Sequence, residues 1–201
     1  MDLTELSPVA DADLPVEAFR AHLRLGAGFV NDAAQDVELI HYLRAALAVV
    51  ENRCGKALLA RDFRLVVRRW RWPDSQVLPL APVIAITDFV LRDRHGAESP
   101  VDPTRWRLAA DRHRPRLVAL SPVLPVIAHN GQAEITFSAG FGAAWADMPD
   151  DLAQAVLLLA AQYFEQRTGL GEGLPASVSA LLARWVPMRL SLGGRRQGGG
   201  A

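Results

Sequence analysis

Residues 147–165 read DMPDDLAQAVLLLAAQYFE and predict the long helix around which the rest of the fold is organised. Asp147 is expected to cap this helix, and Pro149 lies in its first turn, where a missing N–H costs nothing. Two apolar stripes run along it, one made by Leu152, Val156, Leu159 and Tyr163 and the other by Leu157, Ala161 and Phe164. A helix that is apolar on most of its circumference is normally buried on more than one side. We therefore expect either a central core helix or a helix shared between the core and a subunit interface.

The segment before this helix, residues 61–146, changes from helical to strand periodicity. Apolar and polar side chains alternate from Phe63 to Arg68, which is typical of a half-buried strand. Further short strands are predicted at 83–91, 117–120, 123–128 and 133–138. Asn130-Gly131 is a strong signal for a two-residue hairpin. Several short strands separated by turns favour a small antiparallel sandwich or barrel.

Helices are predicted on both sides of this β segment. A short helix is expected at 14–23, and a long one from Asn31 or Asp32 to Cys54, where apolar residues recur every three or four positions. Pro175 opens a last short helix. The expected fold class is α+β: a helical bundle of N- and C-terminal helices, with an inserted small antiparallel β-sandwich or barrel and an extended C-terminal tail. The predicted boundaries are 1–60 for the N-terminal helices, 61–146 for the β domain, 147–186 for the C-terminal helices and 187–201 for the tail.

Composition excludes several classes of protein. The 201 residues include 22 basic and 22 acidic side chains, so no global field marks a binder of nucleic acid or of a membrane surface. The balance is uneven, because residues 1–60 hold 5 basic and 9 acidic side chains whereas residues 61–146 hold 12 and 8. Cys54 is the single cysteine and makes no internal disulfide. With no signal-peptide pattern, and no apolar run near the roughly 20 residues that cross a bilayer, we expect a soluble protein of intracellular type.

Motifs for catalysis and for metal binding are missing from the sequence. None of the five histidines stands in an HExxH pattern, and no glycine-rich loop carries the Lys-Ser or Lys-Thr pair of a phosphate cradle. No serine stands in a GxSxG motif. Asp150 and Asp151 are explained by the favourable position of acids at a helix start. We therefore expect no enzyme activity, no cofactor and no metal, although sequence separation does not exclude clustering in space.

One basic run and two tryptophans are candidates for binding. The densest basic run contains Arg105, Arg107, Arg112, His113, Arg114 and Arg116, with Trp106 beside them. It fits a nucleic-acid-binding module that stacks bases and binds phosphates, or a solvated loop paired with Asp102 and Asp111. Trp70 and Trp72 alternate along one predicted strand face, so they indicate either a contact surface or one face of the β core.

The C-terminal tail has a composition of its own. Met188 to Leu192 is apolar and carries Arg189, whereas residues 193–201 are rich in glycine and cannot pack a core. An apolar, basic peptide after the break at Pro187 is typical either of a docking peptide or of a frayed terminus.

Several stretches, taken in order, resemble the head–tail connector (adaptor) proteins of tailed phages and gene transfer agents. They are VENRCG at 50–55, LPLAPV at 78–83, ITFSAGFG at 135–142, MPDDLAQA at 148–155 and PASVSALL at 175–182. Each motif is loose, but their order is distinctive. The resemblance runs from the second helix to the end of the chain, and the tail at 193–201 departs from the pattern.

The resemblance implies a structural protein, not an enzyme. It implies a homo-oligomeric ring, usually twelvefold, beneath the portal at the neck of a virion or phage-like particle, assembled in the bacterial cytoplasm. The implied partners are the portal protein, a stopper or tail terminator protein, and double-stranded DNA that passes through the channel without sequence specificity, with no membrane. In the family the C-terminal segment reaches into the portal. Carried over to this chain, the expected portal-binding residues are Arg184, Trp185, Met188, Arg189, Leu190, Leu192, Arg195 and Arg196.

Overall fold

A computed structural model describes residues 1–25, 33–166 and 173–186 as a mixed α+β protein, the predicted class. The helices are α1 (Val16–His22), α2 (Ala33–Cys54), α3 (Asp150–Glu165) and α4 (Ala176–Leu182). The strands are β1 (Asp2–Glu5), β2 (Arg61–Val67), β3 (Ser75–Val77), β4 (Val83–Arg92), β5 (Glu98–Pro100), β6 (Trp106–Ala109), β7 (Arg116–Ala119) and β8 (Gln132–Ala139).

The helices surround a hydrophobic core in which α3 is the central element. This helix packs against α2 on one side and α4 on another, and it buries Leu152, Val156 and Leu159. The first predicted stripe therefore faces the core, whereas Leu157 and Phe164 of the second are only partly buried against it. The predicted cap is different, since Pro149 stands at the N-cap position. The Asp147 carboxylate instead accepts a hydrogen bond from the N–H of Ala144, at 2.9 Å, and closes the short turn before the helix.

The strands form two antiparallel sheets. The larger has the strand order β1-β2-β8-β4-β5, and the smaller has the order β3-β7-β6. The pairing of β2 with β8 runs from Arg61 opposite Ala139 to Val67 opposite Ala133. Neither sheet closes on itself within the described residues, so the barrel alternative is wrong.

Side chains from both sheets share a second hydrophobic core. Alternate residues of β8 are buried in it, and Leu117 of the smaller sheet joins them. Phe89 lies between Trp70 and Trp106, with ring centroids 5.8 and 6.2 Å away in edge-to-face geometry. Such aromatic pairs add to the stabilisation that comes from burial alone.

Ion pairs link the helices to the larger sheet. Arg61 at the start of β2 donates to Glu51 of α2 at 2.6 Å and to Glu5 of β1 at 2.8 Å. Glu51 also accepts a hydrogen bond from the N–H of Leu58 at 2.7 Å. This network positions the end of α2 against the edge where the sheet begins.

Three expectations about the chain path need correction. Residues 2–5 form an edge strand of the larger sheet, with Asp2 opposite Val66, although the first 60 residues were expected to be helical. Residues 123–128 form no strand, because prolines on either side of Val123 interrupt the ladder. Asn130 does turn the chain, with φ at 57°, but β8 pairs with β2 and β4, so the turn makes no hairpin.

Candidate functional site

The structure places Trp185, one of the predicted portal-binding residues, in the interior of the protein. Its side chain is 1% exposed in the helical core. The indole Nε1–H donates to the Asp151 carboxylate at 2.7 Å, and the ring meets Phe141 edge to face at 5.4 Å. Within the single chain this ring is therefore packed against α3, and the part of Trp185 in portal binding stays a prediction.

Two arginines flank the Trp185 ring. The guanidinium carbon of Arg112 lies 4.6 Å from the ring centroid, and that of Arg184 lies 4.8 Å away. Arg184 also donates to Asp151 at 2.7 Å, while its side chain stays 64% exposed. A cation over an indole face is attracted by the ring quadrupole. Residues 112, 151, 184 and 185 therefore form one cluster, the Trp185 cluster, where the last described helix ends.

The Trp185 cluster changes the ionisation of its carboxylate. Burial alone would raise the pKa of Asp151, but hydrogen bonds from Arg184 and Trp185 outweigh it and lower the pKa below its ordinary value. Asp151 therefore stays ionised at neutral pH and holds both donors in place.

The remaining predicted portal-binding residues lie outside the described residues. They are Met188, Arg189, Leu190, Leu192, Arg195 and Arg196. Arg184 is the predicted portal-binding residue that the structure places at the surface.

Lys56 is a site residue that the sequence analysis missed. It is buried where α2 passes into the sheets, and its ammonium donates to the carbonyl of Arg112 and lies 3.3 Å from Nδ1 of His113. Burial lowers its pKa, and the nearby Arg112 lowers it further. One signal could have found it, because Lys56 is the single lysine among the basic residues. Lys56 and Trp185 together fix the loop at 110–115 against the helices.

The predicted basic run at 105–116 is divided by the fold. Arg112 points to Trp185, whereas Arg114 and Arg116 line a cleft of about 420 Å³ beside Trp72. Asp111 does not pair with the arginine side chains but accepts the N–H groups of His113 and Arg114, each at 2.7 Å. These two bonds lower the pKa of Asp111. The division disfavours one continuous phosphate-binding stripe.

Trp70 and Trp72 follow β2 and do not lie within it, so they do not share a strand face. Trp70 packs against the β core and donates to the carbonyl of Pro125 at 2.7 Å, whereas Trp72 is 55% exposed. An open groove of about 480 Å³, called the distal groove below, is lined by residues 68–71 and 73 on one side and by residues 123, 124, 126 and 127 on the other. Trp70 thus belongs to the β core, and a contact role for the exposed Trp72 stays a prediction.

The described residues carry no feature of a metal centre or a membrane span. No cluster of three His, Cys, Asp or Glu side chains within them is arranged to hold a metal ion. Likewise, no helix in the described ranges has the length and apolarity to cross a bilayer.

Comparisons with known proteins come from solved structures, since no family model and no curated protein matches the chain. The chain is similar to one from the neck of an empty gene transfer agent (GTA) particle computed with C6 symmetry, at 51% identity and a TM-score of 0.88. That match covers 97% of this chain and 100% of the other. A chain from the virion of a native GTA particle matches over the same shares at 51% identity and a TM-score of 0.86. A chain from the neck of a native GTA particle computed with C12 symmetry matches at 49% identity and a TM-score of 0.84, again over 97% and 100%.

The identity of 49–51% over nearly the full chain therefore identifies a structural neck protein of a particle of this kind. This chain belongs to the family of the gene transfer agent neck chains that it matches over nearly its full length.

Proposed function

We propose that the chain is a head–tail adaptor that forms a ring beneath the portal of a gene transfer agent or related phage particle. The ring extends the DNA channel and joins the head to stopper and tail terminator proteins, and its role is structural and not catalytic. The observation that carries this proposal is the 51% identity to a GTA neck chain over 97% of this chain and 100% of the other.

A cyclic arrangement is part of the proposal. The necks of the related particles were computed with C6 and C12 symmetry. Both are compatible with a ring of twelve copies, which supports that number here. Rings close through contacts between two different patches of each subunit.

The tail carries the portal contact in this proposal. Trp185 belongs to the chain's own core, so the docking segment begins after Val186 and uses Met188, Leu190 and Leu192 as apolar anchors, with the arginines at 189, 195 and 196 as charge partners. The Trp185 cluster then sets the place from which the segment leaves the domain, and the exposed Arg184 stands beside it.

A truncation at Val186 tests the adaptor role. The variant lacking residues 187–201 should fold as the full chain does and should lose most of its binding to the portal protein of the same particle. Binding is measured as co-sedimentation with assembled portal rings, and folding by circular dichroism and thermal unfolding.

A second variant separates the tail's chemistry from its length. The change R189Q/R195Q/R196Q keeps the length and removes the charges, so it should weaken binding less than the truncation does. If the truncated chain docks onto portal rings as well as the full chain, the tail is not the portal contact. If the full chain binds no portal ring and joins no neck, the adaptor role itself is wrong.

A further inference from the structure

The distal groove exposes apolar side chains that the fold leaves uncovered. Val126 is 83% exposed, and Val123 beside it is also exposed. The loop that carries both valines makes no strand, because Pro122 and Pro125 deny it ladder hydrogen bonds. Apolar side chains gathered on one surface mark a place that another molecule covers.

The same groove is positively charged, because its arginines have no carboxylate partners among the described residues. Arg68, Arg69 and Arg71 are exposed along one wall, and none of them makes an ion pair within the described ranges. Other arginines of the β region differ, since Arg61 and Arg92 are each held by two carboxylates. No acidic residue lines the groove. Arginine is enriched at interface centres, and these unpaired arginines favour an acidic partner.

The chain itself presents a surface of this kind on its helical side. Its first 17 residues hold no basic residue, and of their five acids Asp2 and Glu5 belong to β1, Asp11 pairs with Arg44, and Asp13 and Glu17 stand at α1. The Glu17 side chain is 94% exposed on α1, and Asp13 is exposed just before that helix. Val37, at the start of α2, adds an exposed aliphatic side chain. Asp13, Glu17 and Val37 are called the acidic face below.

The two surfaces belong to different parts of the fold. The acidic face is carried by α1 and α2, which pack on each other and on α3. The distal groove begins after Val67, at the end of β2 opposite to Arg61, the residue that is tied to α2 through Glu51. A contact between them therefore cannot be made within one chain in this fold, and between chains it is heterologous, as a closed ring requires.

We propose that the distal groove of one copy binds the acidic face of the next copy, as the ring contact between neighbouring subunits. The groove's arginines meet Asp13 and Glu17 of the neighbour, and its valines cover the neighbour's Val37. This inference rests on the ring of the proposed function and assigns the surfaces that close it.

Charge reversal on each side tests the contact. R69E/R71E makes the groove acidic, and D13R/E17R makes the acidic face basic. Each variant alone then opposes like charges at every contact, and its self-association should fall at least about tenfold relative to the wild-type chain in low salt. An equimolar mixture should recover association, because each variant's groove now faces the other variant's oppositely charged surface at every contact. Native mass spectrometry should find the two variants in equal numbers in the mixed assemblies.

Two controls exclude a general effect of charge and a loss of folding. R105E/R107E makes the same charge change at exposed arginines of the β region outside the groove and should leave association unchanged. Circular dichroism of every variant checks that folding is intact.

The proposal is overturned if wild-type chains stay monomeric at millimolar concentration in low salt, if single variants associate as the wild type does, or if the mixture shows no recovery. Loss of portal binding in R69E/R71E with unchanged self-association also overturns it and would assign the groove to another neck component. The tail truncation tests the adaptor role separately, since it leaves both surfaces in place.

Discussion

At the scale of single residues, Trp185 shows how much its surroundings decide a side chain's role. By composition alone, a tryptophan near an apolar, basic C-terminus fits a docking anchor as well as it fits a core residue. The structure instead buries it between Asp151, Phe141 and two guanidinium groups. Arg112 comes from the β region and Asp151 from α3, so no local pattern around Trp185 predicts either contact.

Replacement of Trp185 by alanine should destabilise the protein strongly. The change removes a fully buried aromatic side chain and a hydrogen bond to Asp151, so we expect a loss of about 3 to 5 kcal/mol in the free energy of unfolding. The matched control is Trp72→Ala, where the same side chain is 55% exposed and the loss should stay below about 1 kcal/mol. Urea denaturation measures both. Similar losses for the two variants would contradict the assignment of Trp185 to the core.

The Asp151 carboxylate should make the stability of the protein depend on pH. Its pKa is lowered in the folded chain, because the hydrogen bonds from Arg184 and Trp185 outweigh the effect of burial. A lowered pKa contributes stability that is present above the unfolded value of about 4 and is lost as the pH falls through the folded value. Asp151→Asn should therefore be less stable than the wild type at pH 6, and the difference should shrink in acid. Thermal unfolding across this range measures it, with Asp150→Asn as a control that removes a carboxylate from the same helix start.

At the scale of elements, the passage from the sheet to α3 depends on one close approach. Gly140 follows β8 with φ at 143°, and a Cβ there would lie 2.4 Å from backbone atoms of Ala60. Gly140 thus lets the end of β8 pass against the chain that leads into β2. Both effects, the conformation and the contact, exclude a larger residue.

Gly140→Ala should cost about 2 to 4 kcal/mol, because it combines an unfavourable backbone conformation with a collision against backbone atoms. The control is Gly96→Ala, where φ is 85° but no atom lies within 4 Å of the added carbon. The control should cost only about 1 kcal/mol, from conformation alone. Chemical denaturation compares them, and equal losses would show that the approach to Ala60 has no cost.

Periodicity predicted the long elements and missed several short strands, β1, β3, β5 and β6. The stripes of α2 and α3 and the alternation of β2 and β8 hold because each element buries one set of its own side chains. The strand at 2–5 is short and mostly exposed, so it exists through its pairing with β2 and leaves no pattern in the sequence. The Trp185 cluster was missed for a similar reason, since its members meet through tertiary packing. In contrast, the unusual single lysine did carry a signal, although only the fold shows what Lys56 binds.

At the scale of the whole molecule, the two hydrophobic cores are joined by polar contacts. Arg61 links β2 to α2 through Glu51, and Lys56 holds the Arg112 loop while Arg112 covers Trp185. Buried ionic and hydrogen-bonded groups are costly to leave without partners. Opening one core would therefore expose unpaired groups of the other, which favours unfolding as a single unit.

This coupling predicts that a destabilising substitution in the helical core also lowers the stability of the sheet. Leu39→Ala removes a fully buried side chain of α2 and should lower the free energy of unfolding by about 2 to 5 kcal/mol. Hydrogen exchange, read by mass spectrometry, should then show the same loss of protection in β8 as in α3, because both open only in global unfolding. Ile135→Ala in β8 is the reciprocal variant and should weaken α3 equally. If β8 keeps its protection while α3 loses it, the cores unfold independently, and the contacts of Arg61, Lys56 and Arg112 position the two halves without coupling their stability.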